Sequence, residues 1–76
     1  MAKPLVQFGV GDQGIITKIT AHEPLKSRLF SMGIVKGAHV TLKDHTFSKQ
    51  TFDIRVGETD VALRAEEAQT VLADML

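Results

Sequence analysis

The sequence contains no cysteine, no excess of either charge and no long apolar run, and each absence removes a class of function. Without cysteine, neither a disulfide framework nor a thiolate metal centre can form, which suits a reducing compartment. Nine basic residues against nine acidic ones leave a formal net charge of +0. Proteins that bind nucleic acid carry a basic excess or stripe, because phosphate contacts supply much of their affinity. Here Lys3, Lys18, Lys26, Lys36, Lys43 and Lys49 are dispersed among acids, and no nucleic-acid partner is expected. No stretch reaches the roughly 20 apolar residues of a membrane-spanning helix. The first residues, Met-Ala-Lys-Pro-Leu-Val-Gln-Phe-Gly, lack the uninterrupted apolar segment of a secretory leader. The expectation is a cytoplasmic protein that meets a membrane only through a partner.

What is present suffices for one folded unit. The chain has 76 residues, 43% of them apolar, which is near the lower size limit for a core without staples. No linker, repeat or low-complexity stretch divides it, so residues 1–76 are read as a single domain.

Leu5, Phe8 and Gly11 recur at intervals of three and suggest a helical or irregular lead-in ending in the turn Gly11-Asp12-Gln13-Gly14. The β-branched run Gly14 to Thr20 suits a half-buried strand, with Ile15 and Ile19 expected to face the core and Thr17 between them. Pro24 is well placed at the start of a helix over about Leu25 to Met32, whose inward stripe is Leu25, Leu29 and Met32. Gly33 stands where such a helix ends in the left-handed conformation, and Gly37 supplies the turn into the next strand. Val40 and Leu42, then Phe52, Ile54 and Val56, then Val61 and Leu63 alternate with polar residues or alanine and predict three strands. Gly57-Glu58 reads as a hairpin turn between the last two, and Asp44 to Gln50 as a longer polar connection. The tail, residues 70–76, fits either a helical stripe or a closing strand. With no crossover helix among the later strands, a parallel sheet is disfavoured. The predicted fold is mostly β with short helices, a small SH3-like β-barrel.

Taken in order, Leu5-x-x-Phe8-x-x-Gly11, Gly14-Ile15-Ile16-x-x-Ile19, Arg28-Leu29-x-x-Met32-Gly33-Ile34-x-x-Gly37 and Val61-Ala62-Leu63-Arg64-x-Glu66-Glu67-Ala68 resemble the ferrous iron transport protein A (FeoA) family. Two positions depart from the family pattern. Lys36 stands where proline is frequent, and Thr46-Phe47-Ser48-Lys49-Gln50 replaces a Gly-Asp-Pro-like turn. The resemblance implies an SH3-like barrel that regulates ferrous iron uptake by contacting the membrane GTPase transporter FeoB, with no cofactor of its own. Weak self-association is compatible with that role. A rival expectation is a free-standing relative of the C-terminal domain of metal-dependent repressors, binding metal or a proline-rich peptide. A Gly11-x-x-Gly14 entry into isoleucines also resembles a ribosomal KOW-type strand, but the charge balance argues against RNA.

The chemistry-bearing residues are sparse. His39 and His45 lie near the two ends of one strand, roughly 20 Å apart if it is extended, and His22 is adjacent to Glu23 elsewhere. No convergent metal site is expected, since a good one needs three or four ligands. Ser27, Ser31 and Ser48 show no triad spacing, so no catalytic residues are assigned. Arg28 is expected to pair on the surface, for instance with Glu23 or Asp44, ahead of any contact with a partner's phosphate. Phe30 and Val35 could lie exposed, but Phe30, like Met32, is expected first to extend the core. Should the spot be exposed, Lys26, Arg28, Phe30, Val35 and Lys36 form the candidate docking surface. Gly11, Gly14, Gly33, Gly37 and Gly57 are assigned to structural turns.

Overall fold

The computed structural model describes all residues 1–76. Its elements are β1 (Ala2–Pro4), a 3-10 turn (Leu5–Gln7), β2 (Gln13–Ile19), α1 (Leu25–Ser31), β3 (His39–His45), β4 (Thr51–Val56), β5 (Thr59–Arg64), α2 (Ala65–Ala68) and β6 (Val71–Met75). The strands form one antiparallel sheet in the order β1-β6-β2-β3-β4-β5, which curls around its core without closing.

Fifteen residues make a continuous apolar core, including Leu5, Ile16, Leu29, Ile34, Leu42, Ile54, Leu63 and Val71, each at 0% exposure. A buried side chain of this kind contributes about 1.5–3 kcal/mol. That decides how α1 is held. Seven residues are too few for a helix to persist alone, so burial of Leu29 rather than helix propensity keeps it in place. Leu25 and Met32 pack against the same cluster. Phe30 lies about 100° further round the helix than Leu29 and is 69% exposed, so it does not extend the core.

The helix ends at Gly33, where φ is +87°. The Ile34 N–H donates to the Leu29 carbonyl at 3.0 Å and the Gly33 N–H to the Phe30 carbonyl at 3.0 Å. These are the two hydrogen bonds of a Schellman motif, with buried Ile34 and Leu29 as its apolar pair. The chain then turns through Gly37, and the Gly37 N–H donates to the Ile16 carbonyl at 2.7 Å.

Three expectations need correction. In β2 the buried residues are Gly14 and Ile16, while Ile15 is only half-buried. A register shift between Ile16 and Lys18 against β6 inserts Thr17 as an extra residue, which restores Ile19 to the core side. Gly14 is not in a turn but inside that strand. A Cβ there would stand 2.6 Å from the Asp74 carbonyl oxygen of β6, so the glycine permits close strand approach. The lead-in also contains β1, which pairs Ala2 to Pro4 with β6. For the tail, the strand alternative is the one observed, after the brief α2.

Candidate functional site: a lysine-rimmed groove beside helix α1

In the second half of the sheet β4 alternates buried Phe52, Ile54 and Val56 with exposed Asp53 and Arg55, and both of its edges are paired, one with β3 and the other with β5. The first half differs. β3 pairs with β2 only as far as Ile15, because the loop carrying Gly37 and Ala38 takes over at Ile16, where the Ile16 N–H donates to the Ala38 carbonyl at 2.9 Å. Beyond that point β2 continues against β6 alone, and α1 stands off from its other side. The gap is a groove of about 480 Å³. Thr17, Lys18 and Ile19 form one wall, Lys26 and Phe30 of α1 the other, and Val35 with Lys36 the end.

Four of the five residues expected to form a docking surface therefore meet in one place: Lys26, Phe30, Val35 and Lys36. Thr17, Lys18 and Ile19 were not anticipated as members. The alternation of β2 gave them only sheet roles, and the separation of β2 from β3 has no local sequence signal. Three lysines line the groove and no acid does. None of the three makes an ion pair within the chain. Glu23 is near Lys26, but its carboxylate is engaged by Ser27, accepting from Oγ at 2.6 Å and from the backbone N–H at 2.9 Å. Those two hydrogen bonds, and to a lesser degree the charge of Lys26, hold the Glu23 carboxyl below the usual glutamate range.

Arg28 lies apart from this groove. It forms an ion pair with Glu67 of α2, not with Glu23 or Asp44. Asp44 instead accepts from the His45 N–H at 2.8 Å. Glu67 is only 8% exposed, and its other oxygen accepts from the Arg64 N–H at 2.9 Å, capping α2. A carboxylate this buried needs its partners, since an unpaired one would carry a desolvation cost of several kcal/mol. Arg28 thus ties α1 to α2.

The histidines do not converge. His39 Nε2 is 2.9 Å from Gln13 Oε1, and His45 Nδ1 is 2.9 Å from the Thr46 carbonyl, at opposite ends of β3. No three His, Asp or Glu side chains approach one another closely enough to hold an ion. The hydroxyls of Ser27 and Ser31 donate to Glu23 and to the Arg28 carbonyl, neither to a histidine. No helix is long and apolar enough to cross a membrane.

Comparison with known proteins adds what geometry alone does not carry. The FeoA domain model matches residues 3–75. The chain belongs to the FeoA family. Among curated proteins of the family, one from Helicobacter pylori named Fe(2+) transport protein A is 36% identical over 58 residues, covering 76% of this chain and 74% of that one. Its Campylobacter jejuni namesake is 29% identical over 66 residues, covering 87% and 89%. A crystal structure of the iron uptake regulatory protein FeoA superposes with a TM-score of 0.89 at 28% identity over both full chains. The zinc-complexed FeoA of Stenotrophomonas maltophilia, described as a procaryotic SH3 domain protein, gives 0.82 at 25% identity, covering 93% and 88%. The open six-stranded barrel is thus the SH3-like fold of this family. A manganese-dependent transcriptional repressor superposes with a TM-score of 0.91 at 20% identity over 42% of its length, a likeness of fold alone.

Proposed function

We propose that this FeoA-family protein is a cytoplasmic, non-catalytic regulator of ferrous iron uptake that binds the cytoplasmic region of a FeoB-type membrane GTPase transporter. The observation that carries the reading is the groove beside α1. It presents exposed apolar surface and unpaired cations together, in a protein whose histidines and serines form no reactive cluster. Family membership and the Fe(2+) transport names of its relatives connect that surface to iron uptake.

Regulation by binding requires unequal affinity for two states of the transporter, since a ligand that binds both equally shifts neither. The groove face would favour one state of the GTPase or gate. The test is binding of the isolated protein to the purified cytoplasmic region, with and without guanine nucleotide, at two ionic strengths. Binding that differs between nucleotide states supports the reading. Equal binding in all states removes regulation, and no binding removes the partner.

Metal sensing is the competing reading, raised by the fold likeness to repressor barrels. Anaerobic calorimetry with Fe(II) separates the two. A tight one-to-one site, abolished by replacing one of His22, His39 or His45, would favour sensing.

A further inference from the structure

We infer that the groove between β2 and α1 takes an extended, acidic segment of a protein partner, added as a strand along the free edge of β2. The inference rests on the groove's being the docking face, and it specifies the chemistry that face selects.

Three independent features of the groove converge on this occupant. The first is charge. The whole chain is neutral, yet Lys18, Lys26 and Lys36 surround one opening with no acid among the lining residues. A partner carrying carboxylates would pair with all three. The second is the apolar lining. Ile19, Val35 and the 69% exposed ring of Phe30 offer contact area that a free anion cannot use. Burying apolar surface on both sides is what distinguishes a peptide from an ion here. The third is backbone. From Thr17 to Ile19, β2 has β6 on one side and no strand on the other, because pairing with β3 stops at Ile15. An extended chain can therefore lie against that edge, with alternate side chains turned to the apolar lining and to the lysines. The spacing of a strand, which sends successive side chains to opposite faces, suits a segment that alternates acidic and apolar residues.

The test uses fluorescein-labelled peptides and the full chain. One peptide alternates glutamate with valine, a second alternates lysine with valine, and a third is polyglutamate. Anisotropy is expected to show binding of the first only, weakening as salt rises. Reversal of Lys18 and Lys36 to Glu should weaken it about two- to fivefold for each lysine, and Phe30→Ala should weaken it further. Lys18→Gln with Lys36→Gln provides a gentler pair of variants, and circular dichroism checks that each is folded. Amide hydrogen exchange should slow at Ile19, whose N–H faces away from β6, when the peptide is bound. Equal binding of the lysine peptide, equal binding of polyglutamate, or tighter binding of a single-stranded oligonucleotide would overturn the inference. Binding of the transporter's cytoplasmic region without binding of the acidic peptide would overturn this inference alone. Binding of neither would remove the reading of the groove as a docking face as well.

Discussion

The two flanks of α1 are made from the same short helix and do opposite things. On one, Arg28 reaches across to Glu67, a carboxylate 8% exposed and hydrogen-bonded to the Arg64 backbone. On the other, Lys26 and Phe30 face a groove with no ion pair and no covering residue. Leu29, fully buried between them, fixes the helix for both. A helix of seven residues has little stability to lend, so its anchored flank must hold the free flank open. One side is satisfied within the chain, and the other is left for something outside it.

The sharpest way to break this contrast is at Glu67. Glu67→Ala removes the α2 cap and the partner of Arg28 together, and should cost about 2–3 kcal/mol, read as a lowered midpoint in urea. Arg28→Glu sets two carboxylates against each other at one buried oxygen, and about 1–2 kcal/mol is expected because Arg28 itself is largely solvated. Gly33→Ala strains the left-handed exit of α1 and should cost about 1 kcal/mol. Lys36→Glu, on the free flank, should move the midpoint by less than about 0.5 kcal/mol while reducing binding of the transporter region at low salt. If Lys36→Glu destabilises as much as Arg28→Glu, the two flanks are not different in kind.

The smallest effect concerns acid. The Glu23 carboxyl is held below its usual range by hydrogen bonds from Ser27. Its contribution is therefore present above the unfolded-state pKa of glutamate and is lost as pH falls through the lower folded value. Stability of the parent should decline slightly more than that of Glu23→Gln as the pH falls through that acid window, as thermal melts across it would show.

The β4–β5 hairpin was legible because its signals are local. Phe52, Ile54 and Val56 alternate, and Gly57 takes φ +59° in the two-residue turn. The end of α1 at Gly33 was legible for the same reason. Ile15 was misplaced because a bulge changes which residues face inward, and the bulge is set by pairing with β6, far along the chain. The Arg28–Glu67 pair was hidden by a separation of 39 residues. The groove was half-legible: Lys26, Phe30, Val35 and Lys36 follow one another closely in sequence, whereas Thr17, Lys18 and Ile19 join them only through the path of the sheet.

That path gives β6 a further consequence, for the order in which the molecule can be built. The last strand lies between β1 and β2, with Ala2 opposite Asp74 and Gly14 opposite Met75. During synthesis β1 and one edge of β2 have no partner until residues 71–75 emerge. The β3–β4–β5 meander can pair from neighbouring residues alone, but closing β6 onto β1 joins nearly the whole length of the chain, the kind of contact that slows folding. A locally paired meander therefore stands beside two edges that only β6 can satisfy, and the β2 wall of the groove, from Lys18 to Ile19, has no sheet partner until β6 is in place.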